Sequence, residues 1–157
     1  MRKILVLLFI SVTLQAYSQS KSITSFRSDF KENSNMFFYS STLKMLNTEN
    51  NIEFAAILED IEEIRFLNYQ KSAQKFTKDD ISALKSKLQG ESYNNIMMMN
   101  ENGNSINIYN REKKGRTTGM VAIIENSQEL ILIDLIGSID VRKFLELKNK
   151  IQTRSAL

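Results

Sequence analysis

The stretch that decides the fold is YNNIMMMNENGNSINIY, residues 93–109. Asn102-Gly103 lies near its centre, and this dipeptide between two apolar runs is a strong signal for a β-hairpin with a two-residue turn. Polar and apolar residues alternate after the turn, which is the period of a strand. The stretch therefore predicts two antiparallel strands, at 93–99 and 105–111.

Three consecutive methionines lie in the first of these strands. Because successive side chains of a strand point to opposite faces, Met97 and Met99 should share one face with Tyr93 and Asn95, and Met98 should point the other way. Methionine fills irregular gaps in hydrophobic cores and packs well on aromatic rings. Core packing is therefore the main interpretation of the run, and an exposed, adhesive methionine surface is the second.

A methionine-based Cu(I) site is a further interpretation of the same run. Thioether sulfur is a ligand that Cu(I) prefers, but the ligands of such a site must converge on one ion. Met97 and Met99 would need a third sulfur, from Met120 or Met45. We therefore expect no metal and no cofactor, and keep a Cu(I) binder as an alternative function.

Two more strands are predicted after the hairpin, at 118–125 and 129–136, with the turn dipeptides Lys-Gly and Asn-Ser before them. Short turns join antiparallel neighbours, so the four strands should form a meander at the C-terminal end of the sheet. Asp140 then predicts the N-cap of a final helix.

The strongest helix signal precedes the hairpin. Thr77 is placed as an N-cap with Asp80 three residues later, a variant of the capping box, and Ile81, Leu84 and Leu88 form one apolar stripe. The patterns upstream predict a flexible lead-in at 19–25, a helix at about 23–33, a strand at 36–41, a helix capped by Thr48 or Asn51, and a strand at 61–69.

This order of elements predicts a single α+β domain over residues 19–157. The expected sheet is antiparallel-rich and mixed, with the four-strand C-terminal meander as its larger part. The helices are expected to pack on one face, which is the usual arrangement for an α+β domain.

The first 18 residues have the three-part pattern of a secretory signal peptide. Two cations are followed by an apolar run over 4–14 and by the sequence Ala16-Tyr17-Ser18. We expect cleavage between Ser18 and Gln19, export to the periplasm or the extracellular space, and no transmembrane segment afterwards. An uncleaved membrane anchor is the alternative, but crossing a bilayer takes about 20 apolar residues.

Composition excludes several classes of function. The absence of cysteine excludes disulfides and thiolate chemistry, and the absence of histidine removes the usual general base at neutral pH. The signal peptide carries two of the 21 basic residues and none of the 18 acidic ones, so cleavage lowers the net charge from +3 to +1. A chain so close to neutral is not expected to bind nucleic acid.

One basic run is a candidate binding surface. Arg111, Lys113, Lys114 and Arg116 lie around the predicted turn of the second hairpin, opposed in sequence only by Glu112. They could bind an anionic envelope surface or an acidic protein partner. The other interpretation is a solvated turn that protects a sheet edge from aggregation.

The acidic residues do not form a recognisable catalytic pair. The segment LEDIEE contains Glu59, Asp60, Glu62 and Glu63, but helix and strand are predicted to divide it. Asp134 falls on the face of its strand that carries leucine and isoleucine, so it should be semi-buried and need a hydrogen-bonding partner. A single buried acid is more often structural than catalytic, and we assign no catalytic residue.

The C-terminal two-thirds resembles a known family. The segments IEEIRFL, NNIMMMNENGNSINIY and MVAIIENSQELILIDLIGSIDVRKFLEL, with the capped helix between the first two, are similar to the small exported bacterial proteins of domain-of-unknown-function family 4252. The resemblance implies an envelope protein without an established activity, and the methionine run departs from the family pattern. The resulting hypothesis is a non-enzymatic module that binds a protein or another envelope component. A carboxylate-dependent enzyme is an alternative alongside the Cu(I) binder.

Overall fold

The computed structural model describes residues 19–48, 50–73 and 75–138. None of the helices in these ranges is long and apolar enough to cross a bilayer. The helices are α1 (Lys21–Asp29), α2 (Ser40–Met45), α3 (Ile52–Leu58) and α4 (Lys78–Gly90), and the strands are β1 (Ser34–Tyr39), β2 (Ile61–Gln70), β3 (Tyr93–Glu101), β4 (Asn104–Lys113), β5 (Arg116–Glu125) and β6 (Glu129–Gly137).

The strands form one sheet in the order β1-β2-β6-β5-β4-β3. All neighbouring pairs are antiparallel, so the sheet is not mixed as the sequence predicts. The α+β class and the C-terminal meander, β3 to β6, are confirmed. Strand β2 joins the meander at its far side by pairing with β6, which leaves β1 and β3 as the two edges.

The described helices lie on both faces of the sheet, whereas the sequence predicts one face. Leu43 of α2 and Leu58 of α3 pack with Met120 and Ala122 of β5 on what we call the α2/α3 face. Helices α1 and α4 cover the opposite, α1/α4 face, where they meet the alternate residues of the same strand. The reason is that β5 and β6 are buried on both sides and carry apolar residues in both alternations.

Local capping follows the sequence closely. The N–H of Thr77 donates to Asp80 Oδ2 at 2.7 Å and the N–H of Asp80 donates to Thr77 Oγ1 at 3.3 Å, so the predicted capping box of α4 is confirmed. The Thr77 N–H and the Thr77 hydroxyl, which both donate to Asp80 Oδ2, lower the pKa of the Asp80 carboxyl. Asn51 is the N-cap of α3, where its Oδ1 accepts the N–H of Phe54 at 2.9 Å. The predicted final helix from Asp140 lies outside the described residues.

Residues 21–25 form the start of α1 and Ser20 is its N-cap, where the sequence predicts a flexible lead-in. Ser20 is fully buried and its side chain caps the helix by accepting the N–H of Ile23 at 3.2 Å. Ile23 and Phe26 are buried in the core of the α1/α4 face. A serine-rich composition favours a mobile segment, but serine is also a preferred N-cap residue.

A β-bulge in β3 changes the predicted faces of the methionine run. Asn95 pairs with Tyr109 and Met97 pairs with Ile108, so one extra residue stands between the two pairs. An extra residue inverts the alternation of the strand beyond it. Tyr93 therefore lies on the α1/α4 face while Met97 packs on the α2/α3 face with Met99, and the prediction that they share a face is wrong.

Candidate functional site

Asp134 lies in the middle of β6, between Arg65 of β2 and Val121 of β5. Its side chain is on the α1/α4 face and is 0% exposed, which is more burial than the sequence predicts. No described residue forms a hydrogen bond of normal geometry with either carboxylate oxygen. Burial raises the pKa of Asp134 to about 7, against the opposing effect of two guanidinium groups, Arg65 and Arg111.

Arg65 is shared between two carboxylates. Its Nε donates to Glu63 Oε1 at 2.8 Å, two residues away on the same strand. Its guanidinium carbon also lies 5.6 Å from the ring centroid of Phe37, on β1. The direct contact of Arg65 is therefore with Glu63, and its effect on Asp134 is electrostatic.

Arg111 is the second cation near Asp134. Its guanidinium carbon lies 4.9 Å from the ring centroid of Tyr93, and its Nε donates to Thr118 Oγ1 at 3.3 Å. Gly119 leaves room for this arrangement, because a Cβ there would be 2.9 Å from the Tyr93 hydroxyl oxygen and 3.4 Å from Arg111 Nη2. Burial, followed by the charge of Asp134, raises the pKa of Tyr93, so its hydroxyl stays protonated.

The N-terminus of α1 covers this end of the sheet and is held by Glu91, at the end of α4. Glu91 Oε2 accepts the N–H of Lys21 at 2.9 Å, and its Oε1 accepts both the N–H of Ser22 at 2.5 Å and the Ser22 hydroxyl. A carboxylate at a helix N-terminus complements the helix dipole. We call the set of Glu63, Arg65, Tyr93, Arg111 and Asp134 beneath it the buried ionic cluster.

The basic run divides between the cluster and the surface. Arg111 belongs to the cluster, while Lys113, Lys114 and Arg116 are exposed around the β4–β5 turn. Lys114 and Gly115 both have positive φ, 53° and 73°, which is the conformation of the two-residue hairpin turn that the sequence predicts. We call these three exposed cations the hairpin tip.

The hairpin tip adjoins the start of the edge strand β3, because Tyr93 pairs with Arg111. Within the described residues, β3 has a neighbouring strand on one side only. Ile96, at the bulge, and Met98, beyond it, are 40% and 69% exposed. The strand carries one charged residue, Glu101, and is otherwise polar or apolar. We call the outer side of β3 with these two side chains the β3 edge.

A family model described as Domain of unknown function (DUF4252) matches residues 17–147. The chain belongs to this family. The match includes every described strand and helix, and it confirms the resemblance that the hairpin and the strand-to-helix ending predict. No curated protein and no solved structure matches the chain. The chemistry of this DUF4252 protein is therefore argued from its own residues.

The buried ionic cluster has one property of a catalytic site and lacks another. A carboxyl group with a pKa near 7 is suited to general acid–base chemistry. Such a group must also come within hydrogen-bonding reach of a substrate, and Asp134 is wholly enclosed by the sheet and α1. The geometry favours a structural or regulatory role for Asp134 over direct contact with a substrate.

The methionines of this DUF4252 protein are spread over the structure. Met97 pairs with Ile108 and that residue pairs with Ala122, whereas Met120 lies further along β5 beside Asn110. Met45 is on α2 and is 77% exposed. Met97, Met99 and Met120 are part of the packing of the α2/α3 face. Their distribution favours core packing over a converging thioether site.

The acidic segment LEDIEE is divided, as the sequence predicts, between the end of α3 and the start of β2. Glu59 and Glu62 are exposed, and Glu63 joins the buried ionic cluster. Within residues 19–48, 50–73 and 75–138 no group of three or more acidic side chains could hold a metal ion.

Proposed function

We propose that this DUF4252 protein is an exported, non-enzymatic module that binds a protein of the cell envelope by adding a strand of that partner to the β3 edge. The sequence of residues 1–18 supports export, through its cations, apolar run and small residues before the expected cleavage position. The shape and composition of β3 support binding at its edge.

The observation that carries the proposal is the weak protection of the β3 edge beyond its bulge. Soluble proteins commonly protect an edge strand with lysine, proline or inward-pointing charge, because exposed backbone groups pair readily with another chain. The bulge at Ile96 protects the edge locally, but from Met97 to Asn100 the strand has none of these residues, and it exposes Met98, with Ile96 half-exposed at the bulge. An extended peptide can pair with such an edge, and alternate side chains then determine specificity.

The hairpin tip defines the chemistry of the partner. Lys113, Lys114 and Arg116 lie at the end of the β3 edge where Tyr93 begins the strand. A partner strand on this edge would place one end beside three cations. We therefore expect an extended segment with apolar side chains along its length and acidic residues at the end that meets the tip.

The test is capture from a detergent-solubilised envelope extract of the source cells by immobilised residues 19–157. A charge at the centre of the edge, Met98→Lys, should abolish capture of the specific partner. The matched control is Met45→Lys, because Met45 is also an exposed methionine but lies on α2. The triple variant Lys113→Glu, Lys114→Glu, Arg116→Glu should weaken capture without abolishing it.

Other outcomes assign the surface differently. Capture that Met98→Lys and Met45→Lys leave equally strong would contradict binding at the β3 edge. Binding to anionic vesicles that only the triple variant abolishes would assign the hairpin tip to a lipid surface. Concentration-dependent dimerisation that Met98→Lys prevents would make a second copy of this chain the partner. Export is tested separately, by cell fractionation and the mass of the mature N-terminus.

A further inference from the structure

The first residues of the proposed mature chain lie directly on the buried ionic cluster. Gln19 Nε2 donates to Glu63 Oε2 at 3.4 Å. Ser20 is fully buried, and its backbone N–H approaches Asp134 closely enough to lower the pKa of that carboxyl. A groove of about 880 Å³, which Gln19 and Glu63 help to line, opens at this point between α1 and the start of β2.

The charges that act on Asp134 are equal in number, because Glu63 and Asp134 itself contribute two carboxyl groups and Arg65 and Arg111 contribute two cations. Tyr93 of β3 is uncharged, Glu91 at the end of α4 acts on Tyr93, and Lys21 of α1 is exposed. The hydrogen bonding is incomplete instead, because both buried oxygens of Asp134 lack a partner of normal geometry among the described residues. A positively charged donor at the N-terminus of α1 would supply that partner.

We propose that cleavage after Ser18 supplies this donor, and that the new α-amino group of Gln19 binds the carboxylates of Glu63 and Asp134 and fixes α1 on the sheet. This inference rests on the proposed export. Hydrolysis of the Ser18–Gln19 peptide bond consumes one water and leaves a carboxylate on Ser18 and an amine on Gln19. An α-amino group has a pKa of about 7.7–8.0, so it is largely protonated at neutral pH.

The position of the amine follows from the backbone. The nitrogen of Gln19 is one residue before the Ser20 N–H that approaches Asp134. Because consecutive Cα atoms are about 3.8 Å apart, the Gln19 nitrogen lies within a few ångströms of that N–H. The Gln19 side chain also contacts Glu63. In the uncleaved chain this nitrogen is a neutral amide, and the carboxylates lack the cation. The precursor should therefore hold α1 less firmly than the mature protein does.

The experiment compares two forms of residues 19–157 that differ only at the N-terminal nitrogen. One has a free amine and the other is acetylated there, which is selective near pH 6.5 because lysine side chains titrate at about 10.4. Both are checked by mass for cyclisation of Gln19 and are unfolded in urea at pH 7.0. We expect the free amine to increase the folding equilibrium constant about tenfold, the effect of one pKa unit of interaction.

A double-mutant cycle assigns the effect to the cluster. The advantage of the free amine should fall strongly in Asp134→Asn and Glu63→Gln, and should remain in the control Glu101→Gln, which removes an exposed carboxylate on β3. Carboxylate partners raise the pKa of an amine, so the advantage should be lost as the pH rises through the titration of the amine. It should also shrink as the pH falls below about 7, because Asp134 then takes up its proton, so the advantage should be largest near neutral pH.

Equal urea midpoints for the free and acetylated forms would overturn the proposal. So would an advantage that persists undiminished in both cluster variants. These chains are prepared with a defined first residue, so the result does not depend on where cells cleave the precursor. A chain that is not exported would contradict the proposed function and leave this measurement interpretable.

Discussion

Arg65 and Asp134 lie opposite each other on β2 and β6, on the same face of the sheet, yet the Nε of Arg65 bonds Glu63 at 2.8 Å. No described residue forms a hydrogen bond of normal geometry with either oxygen of Asp134, although the Ser20 N–H lies near the carboxyl. The acid is therefore stabilised mainly by charge at a distance while it bears most of the cost of leaving water. Its protonation should dominate the pH dependence of stability near neutrality.

Asp134→Asn should stabilise the chain at high pH when the Gln19 nitrogen is acetylated. The folded-state pKa is raised to about 7 from an ordinary value of 3.8. The contribution of protonated Asp134 to the free energy of unfolding is therefore complete below about pH 4 and is lost as the pH rises to about 7, because the unfolded state loses this proton first. We expect the variant to be more stable at pH 8 by on the order of 1–3 kcal/mol.

Urea unfolding of both acetylated chains at pH 4 and pH 8 measures this difference. Glu101→Gln serves as the control for removing an exposed carboxylate, and it should leave the free energy of unfolding unchanged at both pH values. A variant that is destabilised equally at both pH values would mean that Asp134 contributes hydrogen bonds rather than an unfavourable charge.

Gly119→Ala should destabilise the protein by about 1–3 kcal/mol, the usual cost of overpacking a core. The added Cβ would lie 2.9 Å from the Tyr93 hydroxyl oxygen, and the nearby Arg111 and Leu135 atoms leave little room for the ring to shift. Gly90→Ala is the matched control. A Cβ there meets nothing within 4 Å, so alanine should be neutral or slightly stabilising in α4. Similar thermal midpoints for the two variants would contradict the close packing at Gly119.

Truncation of a buried and of an exposed methionine should change the free energy of unfolding by very different amounts. Met120→Ala should cost about 2–5 kcal/mol because Met120 is fully buried on the α2/α3 face. Met98→Ala should change the free energy of unfolding by less than about 0.5 kcal/mol, as expected for a surface position. Denaturant unfolding measures both. Cu(I) added under reducing conditions should leave the midpoint unchanged, and a stabilisation that grows with metal concentration would establish binding instead.

Loss of the α4 cap should be measurable. Thr77→Ala removes the hydroxyl that accepts the Asp80 N–H and should cost about 1 kcal/mol. The Thr77 N–H and hydroxyl also donate to Asp80 Oδ2 and lower the pKa of that carboxyl, so the part that the hydroxyl contributes should be present above the unfolded pKa of Asp80 and disappear as the pH falls through the folded value. Ser82→Ala, in the exposed part of the same helix, is the control. Equal helix content and stability in the two variants would show that the cap is unimportant.

Local signals in the sequence predict local structure well. Asn102-Gly103 predicts the β3–β4 turn and Thr77 with Asp80 predicts the start of α4, because each depends on contacts within a few residues. The bulge at Ile96 leaves no comparable signal. Methionine suits either face of a strand, so an inverted alternation over three methionines looks the same in the sequence.

The cluster around Asp134 could not be assembled from the sequence. Arg65 reaches it through pairing of β2 with β6, and Arg111 reaches it from β4 across β5. Both depend on the order of strands in the sheet, which periodicity does not give. The run of basic residues around the turn instead groups Arg111 with Lys113. In the structure the Arg111 side chain turns inward and stacks on Tyr93.

The place of β6 in the sheet determines when the fold can close. In the described sheet, the β1–β2 pair is joined to strands β3 to β5 only by pairing with β6, which is the last of the described strands. A polypeptide that emerges N-terminus first, from a ribosome or a translocation pore, must hold β2 unmatched on one side until about residue 137 is free. Long-range pairing of this kind folds slowly. Vectorial delivery should therefore give a loosely structured chain for most of its passage, and the sheet should close cooperatively only after the final strand arrives.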